Sequence, residues 1–284
     1  MQRPPIVASL LLAVTYAVVA RLGLAMDAVG GLATLVWPPT GIALAALLLG
    51  GARLWPGVAL GAFVANLWVG ASPLLALGIA FGNTLEALLG AGLLRRARGF
   101  RPALDSLGSV LALVVLAALG STLVSALLGT LAVVLAQAVP AARALATFQA
   151  WWVGDMIGNL VVAPVLLTGR APEGAAPPGS RRELALLTVL LGLAVLLAFG
   201  PSESLVGAPF RAPHALMPLL VWAAVRFGPR GAAAATLLAS SGAIAGTALG
   251  HGSFVRGTLH DGLLELQIFM AAVATTTLIL AAIT

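Results

Sequence analysis

Residues 72–96 read SPLLALGIAFGNTLEALLGAGLLRR. From Ser72 to Leu94 the run is apolar apart from a few polar side chains, of which Asn83 and Glu86 are the costly ones, and it ends on Arg95 and Arg96. A helix of that length covers the roughly 30 Å of hydrocarbon in a bilayer. The arginines mark the face where it leaves. Working outward, comparable apolar runs lie near 6–26, 32–50, 54–70, 105–137, 146–168, 184–200, 210–227, 231–250 and 262–284, ten segments in all with 72–94. The run at 105–137 holds Gly120 and Gly129, and fits one long tilted helix, a broken helix or two short ones. The run at 210–227 contains Pro213 and Pro218 and reads as kinked or partly re-entrant. The fold expected is an all-α polytopic membrane protein, a bundle of about 8–10 transmembrane helices, with both termini cytoplasmic.

Composition agrees. Of 284 residues, 61% are hydrophobic and 8% charged, with a mean hydropathy of +1.08. A water-soluble globule carries about 25% charged residues, so a soluble enzyme is excluded first. The net charge is +6, and all 15 basic residues are arginine. They cluster between apolar runs, which suits orientation in a bilayer rather than a nucleic-acid face. With ten spans and a cytoplasmic N-terminus, the inner side holds Arg3, Arg53, Arg95, Arg96, Arg98, Arg101, Arg170, Arg181, Arg182, Arg226 and Arg230. Arg21, Arg143, Arg211 and Arg256 fall outside. Splitting the fifth run would reverse that bias. There is no cysteine, so disulfides, thiolate metal sites and cysteine nucleophiles are excluded. Met1 to Ala25 has the basic start and apolar run of a signal peptide, but the spans that follow favour an uncleaved first helix.

The polar stretch at 169–183, with Pro172, Pro177, Pro178 and Gly179, reads as a cytoplasmic linker. It divides one integral membrane domain, 1–284, into a six-span part, 1–168, and a four-span part, 184–284. The chain stops at Thr284 inside an apolar run, which favours a domain cut from a longer protein. An internal repeat is suggested at an offset near 173, where Thr40-Gly-Ile-Ala-Leu and Arg53-Leu-Trp-Pro56 resemble Pro213-His-Ala-Leu216 and Arg226-Phe-Gly-Pro229.

The informative residues are those that lipid penalises, because an acid at mid-span costs about 2.5–3.5 kcal/mol on insertion scales. Two acids qualify. Glu86 shares a helical face with Asn83 and Gly90. Asp155 shares one with Trp152 and Asn159, between the small residues Gly154 and Gly158. Each fits either an interhelical hydrogen bond or a ligand or signalling site. Trp151 and Trp152 fit belt anchors or an aromatic lid over Asp155, suited to a polar or cationic group entering from outside. Trp37-Pro38-Pro39-Thr40-Gly41 is either a helix broken at membrane depth that lines a cavity, or a plain helix start. Asn66 adds a further buried polar group, most simply a structural hydrogen bond. His214, His251 and His260 lack metal-ligand spacing. No nucleophile elbow, phosphate loop or carboxylate-rich metal motif is present, so neither catalysis, metal nor cofactor is expected.

Taken together, these motifs resemble the MASE1 family, the membrane-associated sensor domain at the N-terminus of bacterial histidine kinases and diguanylate cyclases. The residues that carry the resemblance are Trp37-Pro-Pro-Thr-Gly41, Arg53-Leu-Trp-Pro-Gly57, Gly61-Ala-Phe-Val-Ala-Asn66, Gly82-Asn-Thr-Leu-Glu86, Trp151-Trp-Val-Gly-Asp155, Val161-Val-Ala-Pro164 and Arg226-Phe-Gly-Pro-Arg-Gly231. They cover nearly the whole chain, in order. The resemblance implies a multi-pass sensory domain of the bacterial inner membrane, with no catalysis of its own. Its last helix would pass a signal to a cytoplasmic output domain beyond Thr284, and a homodimer is expected because such outputs work as dimers. The ligand would be a small molecule or a membrane partner, held by Trp37, Pro38, Pro39, Thr40, Asn66, Asn83, Glu86, Trp151, Trp152, Asp155 and Asn159. Buried acids and repeated helix pairs also fit a transporter or channel, and the glycine faces fit a scaffold for another membrane protein.

Overall fold

The structure is a computed structural model, and it describes residues 5–25, 36–170, 180–201, 212–255 and 259–284. Most of the expected linker at 169–183, and the residues Arg3, Asp27, Glu173, Glu203, Arg211 and Arg256, lie outside the described residues. Among the described residues there are helices and no strands. In chain order the helices are α1 (Pro5–Ala25), α2 (Pro38–Gly50), α3 (Trp55–Trp68), α4 (Pro73–Arg96) and α5 (Leu107–Leu135). Then come α6 (Ala144–Thr168), α7 (Arg181–Phe199), α8 (Met217–Ala248) and α9 (Leu259–Ile283).

Each of the ten apolar segments holds a helix among its described residues, but among the described residues 7 helices are long and apolar enough to cross a membrane. The difference has two causes. Segments 32–50 and 54–70 become α2 and α3, of 13 and 14 residues, which at 1.5 Å per residue reach about 20 Å. Segments 210–227 and 231–250 form the two arms of α8, joined at Gly228, where φ is 59° and ψ −157°. That bend is a true reversal. A Cβ built on Gly231 would sit 2.8 Å from the Ala223 carbonyl oxygen, eight residues back, where a straight helix would separate them by about 12 Å. The long fifth segment is one continuous helix, with a π-helical stretch at Leu113–Ser121.

The helix ends follow local chemistry. Ser72 caps α4 by accepting from the Leu75 amide at 3.3 Å, with Pro73 in the first turn, where its missing N–H costs nothing. Ser180 caps α7 in the same way through the Glu183 amide at 3.1 Å. Arg95, in the last turn of α4, bonds the Leu47 carbonyl near the end of α2.

The chain forms two compact units, residues 1–100 with 111–163, and residues 101–110 with 164–284. Within the first unit α1 lies along α3, and α4 packs on α3, α2 and α5. Gly57 and Gly61 let α3 meet the α1 backbone. A Cβ on Gly61 would come to 2.8 Å from the Ala13 carbonyl oxygen and 2.7 Å from Tyr16 Cβ. Within the second unit α7 lies along α8, and α9 packs on α8. There Gly242 meets the Val195 side chain and Gly246 meets the Phe199 carbonyl and Cβ. Phe199, Phe254 and Phe269 form an apolar cluster with ring centroids 5.5–5.8 Å apart.

Candidate functional site

The first unit buries a polar network inside its apolar helices. Its centre is Asp155 on α6, fully excluded from solvent. Thr40, in the first turn of α2, donates its hydroxyl to Asp155 Oδ1 at 2.8 Å. Ser125 on α5 stands 2.9 Å from Asp155 Oδ2 and 2.9 Å from Asn83 Oδ1 on α4. The Asn83 amide donates to the Tyr16 hydroxyl on α1 at 3.0 Å. Trp151 Nε1 donates to Ser125 Oγ at 3.1 Å. The Glu86 carboxyl, 2% exposed, lies beside that of Asp155. Five helices thus share one chain of polar contacts.

Local sequence explains how they meet. Pro38 and Pro39 start α2 rather than break it: the Trp37 amide finds the Gly154 carbonyl on α6 at 3.0 Å, and the Thr40 amide the Trp37 carbonyl at 3.2 Å. Gly41 and Gly158 allow this close crossing. A Cβ on Gly158 would collide with the Trp37 carbonyl oxygen, and one on Gly41 with the Gly158 carbonyl. Thr40 is thereby pressed against Asp155. On α5, Gly129 leaves room for the Trp151 ring, a turn away from the Ser125 hydroxyl that the indole reaches. The π-helical turn of α5 leaves carbonyls for side chains to take, and Leu119 accepts Trp152 Nε1 at 3.1 Å.

A model of the MASE1 family matches residues 8–284. The chain belongs to the MASE1 family. No curated protein and no solved structure matches it. It is therefore a membrane-embedded, multi-pass sensory domain.

Mapped onto the MASE1 fold, the residues singled out from sequence separate into two groups. Thr40, Asn83, Glu86, Trp151 and Asp155 come together in the network, with Trp37 beside Tyr16 at its edge and Asn159 one helical turn beyond Asp155. Pro38 and Pro39 shape the start of α2 and bring no polar group. Asn66 stands apart, because its amide closes onto its own helix at the Ala62 carbonyl, 2.8 Å away. Trp152 also stands apart, tied to Leu119 and stacked on Phe148 with centroids 6.3 Å apart. Two members were not anticipated. Tyr16 is the single tyrosine of the chain, 1% exposed in a mainly apolar helix. Ser125 has no accessible surface and lies four residues before Gly129. The lone tyrosine was a usable signal; a serine in a helix was not.

The network is not self-sufficient. Glu86 Oε1, Asn159 Oδ1 and Trp37 Nε1 are buried and have no hydrogen-bond partner among the described residues. An unpaired polar group in an apolar interior costs about 1–3 kcal/mol, and more in hydrocarbon.

Among the described residues no group of three or more His, Cys, Asp or Glu could hold a metal ion. In the second unit the principal polar site is structural. Glu183 accepts two bonds from Arg226, Nε at 2.6 Å and Nη2 at 2.8 Å, and a third from Trp222 Nε1 at 2.9 Å. This joins the start of α7 to the Arg226-Phe-Gly-Pro motif just before the reversal in α8.

Proposed function

We propose that the buried network of the first unit is the sensing element of this domain. A small molecule or a membrane partner engages it and changes the packing of α1, α2, α4, α5 and α6. The change is relayed through α9 to a cytoplasmic histidine kinase or diguanylate cyclase domain, in a homodimer held in the bacterial inner membrane. One observation supports this most directly: Glu86 and Asn159 keep buried oxygens without partners inside an apolar bundle. Bundle cohesion alone would be served better by an apolar side chain at Glu86. Helix α6 provides a mechanical route, since it carries Asp155 and continues to Thr168. There the Thr168 and Gly169 carbonyls accept from Arg230 on α8, at 3.3 and 2.8 Å.

A sensor of this kind needs a ligand that favours one of two packings. The test uses the full-length signalling protein that contains this domain, with Glu86→Gln and Asp155→Asn introduced singly. The expected result is normal membrane insertion with output activity shifted about fivefold or more, the scale of ordinary allosteric coupling. Output and stimulus response equal to wild type in both variants would remove the network from the mechanism.

A further inference from the structure

The chemistry of the network narrows what it takes, given the sensing role proposed above. Thr40 spends its hydroxyl hydrogen on Asp155. Ser125 has one hydrogen for two oxygens, Asp155 Oδ2 and Asn83 Oδ1, and one of its two lone pairs takes the Trp151 indole. Glu86 Oε1 and Asn159 Oδ1 have none. Even if the Tyr16 hydroxyl and Trp37 Nε1 both donated inward, oxygen lone pairs would outnumber hydrogens.

The charge balance points the same way. The helices of the network, α1, α2, α4, α5 and α6, carry Glu86 and Asp155 as their only acids and no histidine. Their arginines are Arg21, Arg95 and Arg96, near helix ends. Arg95 is bonded to the Leu47 carbonyl and Arg96 to the Gly92 carbonyl at 3.4 Å. None of these helices supplies a basic side chain bonded to either carboxyl group, so a cation beside the pair would be matched in charge.

Size sets the last limit. α2 and α6 touch backbone to backbone at Gly41 and Gly158, and Thr40 and Ser125 bond Asp155 directly. Packing this close admits an ion rather than a metabolite. The donors are all hard oxygens, from two carboxyls, two amides and one hydroxyl, which suit a hard cation. A divalent ion is a poorer fit, because Ca²⁺ takes 6–8 oxygen ligands and Mg²⁺ gives up its water reluctantly.

We infer that the network is a binding site for a small monovalent metal cation of the sodium class, held between Glu86 and Asp155 and completed by the oxygens of Asn83, Ser125 and Asn159. Thr40 is a positioning residue that fixes the Asp155 carboxyl. The ion bridges α4, α5 and α6, so its occupancy sets their packing.

The purified chain in lipid nanodiscs tests this directly. NaCl replaces choline chloride at constant ionic strength and pH, and thermal unfolding and tryptophan emission are followed. Trp151, whose indole bonds Ser125, is the built-in reporter. The expected result is a saturable emission change and a rise in Tm of about 5 °C at a hundred times Kd. Glu86→Gln keeps the side chain's size and an amide that can still donate to the Asp155 carboxyl, so it should fold and lose the sodium response. Asn159→Ala should weaken it about tenfold. Trp152→Phe should retain it. Equal Tm and emission in sodium and choline for the wild type would overturn the inference. So would a full sodium response in Glu86→Gln, or a response to Ca²⁺ alone. A change that follows pH and ignores sodium would also overturn it, and would assign the site to protons. The sensory reading fails separately: if sodium has no effect yet Asp155→Asn still alters output of the full-length protein, only the ion falls.

Discussion

The two units of this chain begin from the same arrangement and finish it with opposite chemistry. In each, a long helix lies along a third helix that presents two glycines four residues apart, Gly57 and Gly61 against α1, Gly242 and Gly246 against α7. Each has an Arg-x-x-Pro turn between its second and third helical segments, and a fourth helix packed on the third. Tyr16 and Phe199 occupy the same place, with their Cβ atoms against Gly61 and Gly246. The eleventh residue of α4 is Asn83 and the eleventh of α9 is Phe269. Tyr16 hydrogen-bonds Asn83, whereas Phe199 meets Phe269 edge to face, 5.8 Å between centroids. Three residues further along, Glu86 is matched by Ala272.

Glycine spacing and helix order therefore build the scaffold, and a few side chains decide what it holds. In the first unit α5 and α6 add Ser125, Trp151 and Asp155 beside Asn83 and Glu86. In the second, the corresponding positions Pro213, Phe269 and Ala272 line a groove of about 390 Å³ with mainly apolar walls. The polar chemistry belongs to the first unit, and that contrast can be broken by substitution.

The largest effects should fall on the shared scaffold. Gly158→Val and Gly246→Val each force a side chain into a carbonyl, of Trp37 and Phe199 respectively. Both should destabilise the purified chain by about 3 kcal/mol or more, read as loss of folded protein in detergent. Tolerance at Gly246 alone would show that the two units do not rely on the same close packing. Next comes Asp155→Ala, which strands the Thr40 and Ser125 hydroxyls in the interior, at about 2–3 kcal/mol by thermal unfolding. Asp155→Asn should recover part of that loss, because its oxygen still accepts one hydroxyl.

The reciprocal swap is sharper and smaller. Tyr16→Phe removes the partner of the Asn83 amide, at about 1–2 kcal/mol. Phe199→Tyr places a hydroxyl among Phe254 and Phe269, at a similar cost. If Phe199→Tyr stabilised the chain, the second unit would hold a polar partner for that position. The smallest change is Glu183→Gln, which weakens an ion pair whose arginine side chain is 42% exposed. It should lower Tm slightly at low salt and not at 1 M, where exposed pairs are screened.

Much of the site was legible because lipid makes certain residues expensive. Glu86 and Asp155 stand out against 61% hydrophobic composition, and helical spacing puts Asn83 and Asn159 on their faces. Ser125 escaped notice because a Ser or Thr hydroxyl in an apolar helix is cheap: it can bond the carbonyl four residues back, as Thr84 does to Ala80 at 2.6 Å. Asn66 follows the same local logic and makes the structural hydrogen bond that was its simplest reading, onto Ala62. The family motifs also marked residues of two kinds without separating them. Asp155 accepts the hydrogen bonds at the centre of the network, whereas Gly41 and Gly158 permit close approach.

Read alone, the sequence determined that the chain is helical and lives in a bilayer, because apolar length and the need to satisfy every backbone group leave few other solutions. It also determined which polar residues lipid would not carry without a reason. Which of them meet, and with what partners, was decided by tertiary structure. Contacts between helices 30 to 115 residues apart in sequence depend on where backbones cross, and a crossing is set by small residues on two helices at once. No single segment contains that information.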